Sequence, residues 1–125
     1  MSQPGTIAWA DLTVANAENL RDFYTAVVGW ECEALEVGDY SDFVMRPAGG
    51  GSAVAGICHA RGVNQGLPPQ WMVHITVTDL DASLARCKEL GGKVRAEPFQ
   101  MGTFGRMAVI EDPAGAVAAL LQPTP

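Results

Sequence analysis

The chain repeats itself. A shift of 63 residues lays Asp11-Leu12-Thr13-Val14 on His74-Ile75-Thr76-Val77, Asn16 on Asp79, Gly29 on Gly92, and Ala53-Val54-Ala55 on Ala116-Val117-Ala118. Pro47-Ala48-Gly49 corresponds to Pro113-Ala114-Gly115 once Gly50, Gly51 and Ser52 are treated as a three-residue insertion in a turn. The order of these matches is kept across both halves, so the fold must be one that two copies of a single supersecondary unit can build. In 125 residues this predicts one domain, with a first module over about residues 5–58, a connection over 59–70 and a second module over about 71–122.

Each half opens with a strand of alternating apolar residues, Ala10, Leu12 and Val14 in one and Val73, Ile75 and Val77 in the other. Asn16 and Asp79 then have the short side-chain oxygen that caps a helix N-terminus. Leu20, Phe23 and Val27, and Leu80, Leu84 and Cys87, recur at helical spacing and predict the buried stripe of each helix, which Gly29 and Gly91 or Gly92 end. Three strand-like segments follow in each half: 31–37, 42–46 and 53–58, then 93–97, 106–111 and 116–121. The order is βαβββ, twice. His59 to Gln70, rich in Gly and Pro, reads as the connection.

A unit of this size buries one sheet face under its helix, and the other face is covered only if the sheets curve around each other. By the period of two, that second face carries Trp9, Asp11 and Thr13 in one half and Met72, His74 and Thr76 in the other. Large and polar side chains there point to a lined cavity rather than an aliphatic core. Trp9 with Trp71, Met72, Tyr40, Phe43 and Phe104 offers an aromatic and thioether wall for a flat or cationic organic molecule; packing or an interface is the plainer use of such residues.

Composition removes several partners. Eight Lys and Arg against fourteen Asp and Glu give a net charge of −6, which disfavours nucleic acid. Neither a membrane span nor a secretory leader is visible, so a cytoplasmic protein is expected. Cys32, Cys58 and Cys87 suit free thiols, and with only His59 and His74 no zinc cluster of familiar spacing forms.

The doubled βαβββ order, Phe23-Tyr24 and Gly29-Trp30 closing the first helix, Leu90-Gly91-Gly92 closing the second, and Glu111-Asp112-Pro113-Ala114-Gly115 before the last strand together resemble the vicinal oxygen chelate superfamily. That superfamily includes glyoxalase I, extradiol dioxygenases and bleomycin-resistance proteins. The resemblance implies an α+β fold of two modules whose curved mixed sheets enclose a cavity, and a homodimer. Metal-dependent members place a His, Gln or Glu at one inward position on the first and last strands of each module. Here those positions hold Trp9, Gly56, Met72 and Ala119, none of them a ligand for a hard or borderline ion.

The expectation is therefore a metal-independent protein with no cofactor, binding a small organic molecule through Trp9, Asp11, Met72, His74, Trp71 and Phe104. The alternative is an enzyme of the same superfamily: a lyase, isomerase or dioxygenase with displaced metal ligands, or a metal-free catalyst using Asp11 and His74 as an acid–base pair. Asp11 and His74 also have a purely structural reading, as buried polar residues satisfied by neighbouring strands.

Overall fold

Asn16 and Asp79 start the two helices as their chemistry predicts. In the computed structural model, which describes residues 3–125 apart from the side chain of Val63, Asn16 Oδ1 accepts from the Asn19 N–H at 3.2 Å. Asp79 Oδ1 accepts from the Ala82 N–H at 3.1 Å. Gly29 ends the first helix at φ 84°, and Gly91, at φ 94°, follows the second, a backbone region that costs glycine nothing.

The chain forms two compact units, one of Ala10–Trp71 and one of Met72–Pro125 with the described part of Met1–Trp9. The first unit contains most of β1 (Ile7–Val14), then α1 (Ala17–Val28), β2 (Glu31–Val37), β3 (Tyr40–Arg46) and β4 (Ala55–His59). Its strand order is β2-β3-β4-β1, with β1 parallel to β4 and the other neighbours antiparallel. α1 covers one face of this sheet over a core of Leu12, Phe43, Met45, Ala55 and Ile57.

The second unit repeats the plan with β5 (Trp71–Thr76), α2 (Leu80–Glu89), β6 (Lys93–Met101), β7 (Gly105–Glu111) and β8 (Val117–Pro123). Its order is β5-β8-β7-β6, with β5 parallel to β8. Leu80, Leu84, Ala108 and Leu120 form the core beneath α2. Gln122 Oε1 on β8 accepts from the Leu80 N–H at 2.7 Å and satisfies an amide in the first turn of the helix. The duplication holds in the register: Leu12 lies opposite Ile57, and Ile75 opposite Leu120. The α+β class and the doubled βαβββ order are those expected from the sequence.

One local expectation changes in part. Phe23 and Val27 are 53% and 65% exposed; Leu20 does turn inward as expected, half-buried with Tyr24, and Ala17 is fully buried. Both sets have helical spacing; Tyr24 wins because its ring packs on Trp30 and Trp71, a contact remote in sequence. Gly102 to Phe104 form the short β6–β7 hairpin connection, with the Phe104 N–H bonded to the Met101 carbonyl at 2.9 Å.

Candidate functional site

The helix-free sheet face of the first unit concentrates its acidic chemistry. Register places Asp11 beside Gly56, Gly56 beside Val44 and Val44 beside Glu33, so one row across the sheet carries a carboxylate near each end. Glu33 pairs with Arg46, while Asp11 is half-buried. In the next row Thr13 lies beside Cys58, and the Cys58 thiol donates to the Asp42 carboxylate. Burial first, and then the nearby carboxylates of Asp11 and Asp42, push the Cys58 thiol far up, so it stays protonated. A protonated, half-buried thiol is a poor nucleophile.

Asp42 falls within the acidic run 31–42, whose charge pattern reads as a solvated strand edge. β2 is exposed along its whole length and fits that reading. Asp42, on β3, does not: it is buried, and its Oδ1 accepts from the His59 N–H at 2.8 Å. The His59 ring is buried as well, with Nδ1 at 3.3 Å from Asp42 Oδ1 and Nε2 at 3.0 Å from Glu18 Oε1. The sequence alone places His59 in the connection, whereas it is the last residue of β4. The available signal was its parity with Ala55 and Ile57, which extends the strand by one inward position. The cluster ties α1, β3 and β4 together, its two carboxylates lying on opposite sides of one ring.

In the second unit, Met72, His74 and Thr76 alternate along β5 and all three are buried. His74 lies beside Ala119 on β8, the repeat counterpart of Asp11 beside Gly56. Trp9 is half-buried on β1 and Phe104 is exposed at its hairpin tip. Trp71 packs against the core of the first unit, where its indole N–H donates to the Tyr24 hydroxyl at 3.0 Å.

The donor set does not suit the divalent ion of the metal-dependent relatives. Indole, hydrogen, thioether and methyl groups occupy Trp9, Gly56, Met72 and Ala119, where such an ion needs imidazole or carboxylate. Among the described residues no three His, Cys, Asp or Glu side chains group as ligands.

Comparison with known proteins gives a consistent picture. The family model described as Glyoxalase/Bleomycin resistance protein/Dioxygenase superfamily matches residues 6–120. CFP32 of Mycobacterium tuberculosis, named as a candidate glyoxylase, is 34% identical over 125 residues, which take in 100% of this chain and 47% of that protein. The anthracycline biosynthesis protein DnrV of Streptomyces peucetius is 33% identical over 94% of this chain and 46% of its own length. The chain thus spans about half the length of the curated relatives it matches. Among solved structures, methylmalonyl-CoA epimerase from Mycobacterium tuberculosis superposes with a TM-score of 0.62 at 18% identity, covering 100% of this chain and 94% of that one. A Streptomyces coelicolor methylmalonyl-CoA epimerase in complex with 2-nitronate-propionyl-CoA gives 0.63 at 16%, covering 98% and 100%. At these identities the likeness concerns the fold.

Proposed function

This chain belongs to the Glyoxalase/Bleomycin resistance protein/Dioxygenase superfamily, and from that premise we propose that it is a metal-independent member that binds a small organic molecule. The observation that carries the reading is the strand register: Gly56 stands beside Asp11 and Ala119 beside His74, so the expected ligand position on the last strand of each module holds no donor. Without an ion, the Lewis-acid and oxygen-activating chemistry of the metal-dependent relatives has no centre on which to run.

The ligand class follows from charge. Asp11, Asp42 and Glu33 share the helix-free face of the first unit with Val44 and Leu35, a setting that favours a flat organic cation over an anion. Asp11 is the residue we assign to the charged contact, because it is half-buried on this face and its neighbour on β4 is Gly56, which sets no side chain beside it. We place the protein in the cytoplasm as a homodimer; no helix among the described residues is long and apolar enough to cross a membrane. A thermal-shift screen of flat cationic and aromatic compounds tests the proposal. Hits must raise Tm for the wild type and lose at least tenfold in affinity with Asp11→Asn. Recovery of a hit chemically changed, rather than intact, would move the chain to the enzymatic branch of its superfamily.

A further inference from the structure

The two units fill equivalent space differently. In the first, Leu12 on β1 and Ile57 on β4 belong to the core under α1, and Val14, Leu20 and the indole of Trp71 pack against that core. Trp71 sits edge-on to Tyr24 at 5.3 Å and to Trp30 at 5.8 Å, and its N–H reaches the Tyr24 hydroxyl. A shift of 63 residues carries these four wall positions to Ile75, Val77, Leu120 and Ser83. It carries the three rings to different chemistry: Trp71 corresponds to Ala8, Tyr24 to Cys87 and Trp30 to Lys93.

The second unit therefore lacks the three rings, and all four counterpart wall positions line an open groove. It encloses about 570 Å³, is predominantly apolar, and is lined by Ile75, Val77, Leu120, Ala82, Ser83 and Arg86. That volume lies within the range of small-molecule sites. α2 packs on β6, β7 and β8, which leaves the β5 side of this sheet face uncovered by the helix.

We propose that this groove, on the helix side of the sheet and separate from the face assigned above, binds a planar aromatic molecule of indole type. The sister unit supplies the template: there an indole whose N–H meets a hydroxyl packs against the core to which Leu12 and Ile57 belong, and in the groove Ile75 and Leu120 keep that apolar surface while Ser83 brings a hydroxyl. The site does not depend on the ligand proposed for the Asp11 face, and Asp11→Asn leaves it intact.

The test is a titration of the whole protein with indole, followed by methyl NMR. Shifts confined to Ile75, Val77, Leu120 and Ala82 are expected. Ala8→Trp, which restores the sister unit's ring, should weaken indole binding at least tenfold and raise Tm. Ala82→Leu, a helix-compatible change on an exposed position, should weaken it similarly without depending on how Ala8→Trp folds. In reciprocal fashion, Trp71→Ala should create a second indole site reported by Leu12, Val14 and Ile57. Shifts scattered over the surface, or unaffected by both groove-filling variants, would overturn the proposal. So would groove shifts that follow protein concentration without indole, since a second copy would then be the occupant.

Discussion

Asp42 receives His59 twice, from the backbone N–H at 2.8 Å and beside the ring Nδ1 at 3.3 Å, so one buried carboxylate fixes both the end of β4 and the orientation of its imidazole. Hydrogen bonds to a charged group out of water are among the stronger ones, and removing one partner strands the other. Asp42→Ala should cost about 2–3 kcal/mol in urea denaturation, with Asp42→Asn costing less because the amide oxygen still accepts. Equal loss in both variants would mean that volume rather than hydrogen bonding matters there.

The opposite side of the same ring bears on acid stability. A hydrogen bond from its own backbone and then the contact with His59 hold the Glu18 carboxyl below its ordinary value of 4.5. A depressed carboxylate stabilises the fold above its unfolded value and loses that contribution as the pH falls through the folded one. The wild type should therefore exceed Glu18→Gln in stability at pH 7, and the gap should shrink progressively below about pH 4.5. A gap independent of pH would contradict the assignment.

Thiol reactivity should separate the cysteines. Cys32 is exposed, whereas Cys58 is held as a thiol by burial and by two carboxylates. At pH 8, iodoacetamide followed by mass spectrometry should find Cys32 modified first and Cys58 untouched until the protein unfolds. Early modification of Cys58 would show that its side of the sheet opens.

Thr76 offers a stability gain. Its hydroxyl oxygen is buried without a hydrogen-bond partner among the described residues. Replacing a buried, unsatisfied hydroxyl by a methyl removes a desolvation penalty, so Thr76→Val should be neutral or stabilising by about 1 kcal/mol. A marked loss of Tm would reveal that the hydroxyl has a partner in solution.

The local features were legible in the sequence. Caps at Asn16 and Asp79, the turn glycines and the strand parity depend on a few neighbouring residues, and the repeat fixed which elements correspond. What escaped was decided at long range. The rotation of α1 toward Tyr24 rests on Trp71, 47 residues away, and the Glu18–His59–Asp42 cluster gathers residues from α1, β4 and β3. Asp42 looked like one more charge in an acidic run because burial is a property of the sheet, not of the run. The open groove beside α2 escaped as well, because how α2 seats against β5 and β8 decides which residues line it.

Metal content tests the proposed metal independence of this superfamily member without reference to any ligand. Protein purified without chelator or affinity tag should hold well under one equivalent of metal per chain, and its Tm should not respond to added manganese, iron(II), nickel or zinc. One equivalent of tightly held metal, with a Tm rise lost in Asp11→Ala or His74→Ala, would contradict the account and identify a centre built from other ligands.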